Sequence, residues 1–164
     1  MTKLLSSITS ALLACTCCLA LAHGDAAHPV KTKAGVKFDQ TDWGVAAPAS
    51  QARRTLVVSM DDTMRFTPAN ITVKLGETVR LRVKNRGRAM HELVLGSRAE
   101  LLQHAEMMKK FPNMEHDEPY MAHVPPGGER TIVWTFNRPG SFDFACLLPG
   151  HMDAGMTGLI TVTP

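Results

Sequence analysis

Ile71-Thr72-Val73-Lys74-Leu75-Gly76-Glu77-Thr78-Val79-Arg80-Leu81-Arg82-Val83-Lys84 is the stretch that decides the fold. Ile71, Val73 and Leu75 alternate with Thr72 and Lys74, Gly76-Glu77 interrupts, and Val79, Leu81 and Val83 alternate with Arg80, Arg82 and Lys84. A period of two sends successive side chains to opposite faces, so both runs read as half-buried strands joined at a turn. The signature recurs outward. Residues 55–60 are β-branched and apolar, 91–95 form a short apolar run closed by Gly96, and Ile132, Trp134 and Phe136 alternate again. Phe142, Phe144 and Cys146 follow, and residues 159–163 make a last strand. Only one segment changes period: after Ser97, a helix cap, Leu101, Leu102, Ala105 and Met108 recur at three- and four-residue spacings over roughly 98–110. Residues 111–126 hold four prolines and read as a long loop. Six to eight short strands with turn signals predict an all-β antiparallel sandwich or barrel with one helical insertion.

The N-terminal third lacks this pattern. Met1 to Lys3 gives a short positive start, residues 4–21 carry no charge, and Ala20-Leu21-Ala22 is a small-x-small cleavage pattern before polar His23-Gly24-Asp25. Residues 1–22 are read as a signal peptide, with an uncleaved anchor or a lipoprotein box at residues 12–15 as the rival readings. Residues 23–53 are rich in Ala, Gly, Pro and Lys and read as an extended arm, with Phe38 and Trp43 as pins to the body; residues 54–164 are the folded domain. The 164 residues carry 18 Lys and Arg against 15 Asp and Glu, a net charge of +3. That balance excludes a strongly basic nucleic-acid binder and an acidic disordered chain.

Cys15, Cys17 and Cys18 fall in the targeting segment, so the mature chain keeps Cys146 alone and forms no internal disulfide. A lone cysteine in an exported protein calls for a reactive thiol or a metal ligand. Cys146-Leu147-Leu148-Pro149-Gly150-His151-Met152-Asp153-Ala154-Gly155-Met156 sets thiolate, imidazole and thioether in one loop, and His91 opens an earlier strand. Two His and one Cys with a weak axial Met is the ligand set of a blue-copper site. Soft sulfur suits Cu(I) and imidazole satisfies Cu(II), whereas zinc gains little from a thioether. Pro149-Gly150 is expected to turn His151 back towards Cys146, with Gly155 and Gly158 turning the chain around Met156. The bland alternative makes Cys146 a buried small hydrophobe and Met156 core filling.

The Cys-x4-His-x4-Met loop, His91 and the run from Phe66 through Thr67-Pro68-Ala69-Asn70 to Val73 resemble the cupredoxins, and the spacing is similar to that of rusticyanin and auracyanin. The resemblance covers about residues 54–164 and implies a Greek-key sandwich, with His91, Cys146 and His151 as equatorial copper ligands and Met156 as the axial one. Other features go beyond a plain electron carrier. Met107, Met108, Met114, His116, Met121 and His123, with His104 just before them, suit a second, weaker copper surface; the alternative is that Met107 and Met108 pack the helix. Cleavage after Ala22 would give His23 an α-amine beside its imidazole, a further copper chelate with His28. Arg80, Arg82, Lys84, Arg86 and Arg88 form a basic row, read as a solvated face or as a dock for an acidic redox partner.

These additions resemble the exported copper-tolerance cupredoxins of the CopI type. The resemblance implies a periplasmic type 1 copper protein that handles copper, a monomer partnered by copper and by redox or copper-efflux components. The alternative function is dedicated electron transfer. Nucleic acid is not an expected partner, and no membrane span remains after cleavage. Multicopper enzymes join several such domains with further histidine-rich centres; one domain without a His-x-His pair is not expected to be an enzyme.

Overall fold

The computed structural model describes residues 38–111 and 116–164. The expected signal peptide and arm residues 23–37, with His23 and His28, lie outside them, as does Met114. Among the described residues, eleven strands and one α-helix run in the order β1 (Gln40–Thr41), β2 (Gly44–Ala46), β3 (Arg54–Asp61), β4 (Arg65–Thr67), β5 (Asn70–Lys74), β6 (Glu77–Asn85), β7 (His91–Gly96), α1 (Arg98–Lys110), β8 (Met121–Val124), β9 (Glu129–Phe136), β10 (Gly140–Ala145) and β11 (Thr157–Thr163). They form two sheets, one ordered β1-β2-β9-β6-β3-β4 and the other β5-β11-β10-β7-β8. The all-β sandwich with one helical insertion is therefore present.

Three details depart from the sequence expectation. β3 pairs β6, and β5 pairs β11, in parallel, so the sandwich is not wholly antiparallel. The expected extended arm is strand and turn over 38–53, because Trp43 gives that segment something to bury. Its indole stacks on Trp134 at 4.5 Å and meets Tyr120 edge-on at 5.1 Å. Gly44 is required there: its φ is +136° and a Cβ would lie 2.2 Å from the Trp134 Nε1. Finally, the proline-rich loop contains β8, whose short alternation the flanking prolines obscured.

The five-stranded sheet has apolar groups on both sides. Leu93 and Leu95 of β7, Ala122 and Val124 of β8, and Phe144 and Cys146 at the end of β10 face the inter-sheet core. Val94, Met121, Ala145 and Leu147 face a second cluster with Leu101, Ala105 and Met108 of α1. All six residues of β7 are buried as a result. Burying one such aliphatic side chain contributes about 1.5–3 kcal/mol, which seats the helix firmly. The helix starts where sequence placed it: the Ser97 hydroxyl accepts from the Glu100 N–H, and the Glu100 carboxylate accepts from the Ser97 N–H, closing a capping box.

Candidate metal centre

His91, Cys146 and His151 each present a ligand atom, all within 4.8 Å of one another. His91 and Cys146 have no exposed surface, since β7 and the end of β10 point them into the sandwich. His151 comes from the loop and remains half-buried. Its Nδ1 lies 3.2 Å from the Cys146 Sγ and 3.3 Å from the His91 Nδ1. Two nitrogens bound at about 2.0 Å in a trigonal plane would stand roughly 3.5 Å apart. Both spacings from His151 therefore lie within a few tenths of an ångström of those around one trigonal ion, and the soft-sulfur and imidazole chemistry of the three donors suits copper.

Backbone hydrogen bonds explain why the loop folds this way. The His151 N–H donates to the Leu148 carbonyl at 3.0 Å, and Gly150 takes φ +85°, so the chain doubles back immediately after Pro149. The Met156 N–H then donates to the His151 carbonyl at 3.0 Å, while the Cys146 N–H donates to the Met156 carbonyl at 3.1 Å. Those bonds tie the loop's two ends to its middle and leave Met156 fully buried in the core that holds Cys146. Gly155, at φ +96°, supplies the second turn. Gly158 does something else: it lies in β11, where a Cβ would come 2.1 Å from the Phe144 ring. Arg65 clamps the outside by donating to the Ala154 carbonyl at 2.7 Å.

Two carboxylates that sequence reading passed over hold these candidate donors in place. Asp62, in the turn after β3, lies 3.1 Å from the His91 Nε2 and accepts from the N–H groups of Arg88 and Ala89. Those two backbone bonds, then His91, hold its carboxyl below the usual range. A carboxylate there keeps the proton on Nε2 and turns the Nδ1 lone pair towards Cys146 and His151. Glu92, only 1% exposed, is the second. Its N–H donates to the Cys146 Sγ at 3.4 Å and its Oε1 accepts from the Leu147 N–H at 2.8 Å. A carboxylate beside His91 in an otherwise apolar strand was the available signal. Burial pushes the Cys146 thiol up to about 12 and, with His91 nearby, holds His151 below its ordinary value. A coordinating cation reverses that preference for the thiol form, because it deprotonates a thiol ligand outright.

The residues expected at a second copper surface are dispersed by their roles. Met108 and Met121 are buried in the cluster beneath α1, whereas Met107 is 44% exposed on the helix's outer side. His116 and His123 do meet, with ring centroids 5.6 Å apart, and His104 joins them. His123 has an acceptor at each nitrogen: Glu92 Oε2 lies 2.9 Å from Nδ1, an ion pair off the hydrogen-bonding line, and the His116 carbonyl lies 3.1 Å from Nε2. The Glu92 contact chiefly raises the His123 pKa, and both of its nitrogens are engaged with oxygen rather than turned to a metal. In the basic row, Arg82 makes a bidentate pair with Glu129, which also meets Lys84 at 3.4 Å, and Arg80 donates to the Ala49 carbonyl.

The sandwich and this donor set define a cupredoxin. A model of the copper binding proteins of the plastocyanin/azurin family matches residues 53–163. Over 122 residues the chain is 50% identical to the "copper-resistant cuproprotein CopI" of Rubrivivax gelatinosus, covering 74% of each chain. It is 36% identical over 117 residues to the protein so described from Vibrio cholerae, covering 71% of this chain and 69% of that one. The chain belongs to the plastocyanin/azurin family of copper-binding proteins and, within it, to the CopI-type cupredoxins. Among solved structures, auracyanin B matches with a TM-score of 0.61 at 24% identity over 74% of this chain and 97% of its own. Reduced auracyanin from Roseiflexus castenholzii matches at 0.59 and 24%, over 69% and 99%. At such identities the likeness speaks for the fold alone.

Proposed function

We propose that the protein is an exported, periplasmic type 1 copper protein serving copper tolerance, with His91, Cys146 and His151 as equatorial ligands and Met156 as the axial one. Residues 1–22 act as the cleaved leader, and the sandwich from about residue 38 is the functional domain. The observation that carries this reading is the convergence of one thiol and two imidazoles on a point inside a rigid apolar core. Copper bound there supplies one-electron chemistry. The chain's own part is to hold still: Asp62 fixes the His91 tautomer, Glu92 anchors Leu147, and the Cys146 and Met156 backbone bonds close the loop. A fixed ligand frame lets the charge of the ion change with little rearrangement, and the protein acts as carrier or buffer rather than as an enzyme.

Deletion of the gene should sensitise the host to copper, with resistance restored by the wild type and not by Cys146→Ser. Full restoration by Cys146→Ser would refute the tolerance role of this site. The mature protein should begin at His23 and fractionate with the periplasm. Dedicated electron transfer is the second reading, favoured by His151, which reaches the surface from the buried ligand cluster and offers an exit for electrons. A deletion strain that respires poorly at low copper, yet tolerates copper normally, would favour it.

A further inference from the structure

His104 and His116 lie away from the cluster just described, and nothing in that site uses them. The His104 Nε2 stands 2.8 Å from the His116 Nε2, with ring centroids 4.7 Å apart and planes tilted by 49°. Two imidazole nitrogens at that distance share either a proton or an ion. Two ligands each about 2.0–2.1 Å from one ion at a right angle stand roughly 2.9 Å apart, so the spacing already matches the bite of a cis pair.

The pair is also held in place. His104 is on α1, whose first turn is closed by the Ser97–Glu100 capping box and tied by Glu100 Oε2 to the Trp43 indole N–H at 3.0 Å. The carbonyl of His116 accepts from the His123 Nε2–H, and His123 is in turn anchored on the buried Glu92. Burial and the neighbouring His116 ring hold the His104 pKa below its ordinary value, which keeps a lone pair available.

We propose that His104 and His116 form a second metal site, for a divalent transition-metal ion, with His123 as its positioning residue. Two imidazoles without a thioether suit divalent borderline ions, and Cu(II) outranks Zn(II) at such a site. Water completes the coordination on the partly exposed side. The site is linked to the first centre through the protein: His123 meets Glu92, whose N–H reaches the Cys146 Sγ.

The test is a Cu(II) titration of the full mature chain, counting metal and recording electron paramagnetic resonance beside visible absorption. The expected result is a copper equivalent with nitrogen hyperfine splitting and no intense visible band. It is lost in His104→Ala and in His116→Ala, and the double variant loses no more than either single one. The visible band from the Cys146 centre persists in all three, which shows that the fold survives. His123→Gln weakens that equivalent about 10-fold, as loss of an outer-shell support does. Unchanged copper counts in His104→Ala and His116→Ala would overturn the proposal. So would an equivalent that disappears only in His23→Ala/His28→Ala, which would place it on the N-terminal segment.

Discussion

The two faces of the five-stranded sheet hold histidines in opposite chemical company. On the inner face, His91 and His151 meet a thiol sunk in an apolar core, and Asp62 fixes the tautomer of His91. On the outer face, His104 and His116 pair through their ring nitrogens and His123 meets the His116 carbonyl, at the rim of a helix. Soft sulfur in a closed core selects copper and tolerates a change of oxidation state, whereas imidazoles open to water select a divalent ion and little else. β7 separates the two, because its alternate residues face opposite sides: His91 inward, Glu92 outward. One sheet thus brings two kinds of donor set within a few residues of each other, and Glu92 contacts Cys146 in one and His123 beside the other.

Removing Glu92 breaks the comparison most severely. Glu92→Ala leaves the buried Leu147 N–H without its acceptor and His123 without its counter-charge. It should cost about 3 kcal/mol in urea unfolding, somewhat less than a fully buried ion pair because His123 is partly in solvent. A loss below about 1 kcal/mol would mean that the two faces are independent.

Asp62→Ala sharpens the contrast by touching the inner face alone. Copper affinity at the Cys146 centre should fall about 10–100-fold, while metal binding at His104 and His116 stays as in the wild type. Equal weakening at both sites would show that Asp62 acts through general stability rather than through His91.

The smallest effect belongs to the outer face. Glu100→Gln should loosen the helix that carries His104 by about 0.5–1 kcal/mol at neutral pH. Burial alone raises the Glu100 pKa, but bonds from the Ser97 hydroxyl and N–H and from the Trp43 indole outweigh it and bring it below the ordinary value of 4.5. A carboxyl depressed in the folded state adds stability above its unfolded pKa and loses it as pH falls through the folded one. The gap between wild type and variant should therefore be full at pH 7 and close below about 4.5. A gap independent of pH, measured by thermal unfolding, would assign the effect to helix propensity.

Much of this arrangement was legible in the sequence because it depends on local periodicity. The alternation over 71–84 located β5 and β6, and Ser97 with Glu100 located the start of α1. Cys146, His151 and Met156 could be grouped because one short loop carries all three. The parts that stayed hidden depend on long-range contact. β2 exists because Trp43 finds Trp134 ninety-one residues away, and β8 completes the sheet edge from within a proline-rich run. Asp62 and Glu92 carry no motif, since their meaning comes from the atoms they face. Sequence grouped His104 with the methionines and histidines after it, but only the fold shows that His116 is the one it faces.

The most direct test of the central claim is a copper titration of residues 23–164 with visible absorption, run beside Cys146→Ser. The account predicts an intense thiolate-to-copper band that saturates at one equivalent in the wild type and is absent from the variant. A wild-type protein that binds copper without that band, or a band that survives in Cys146→Ser, would contradict it and leave Cys146 as a buried thiol.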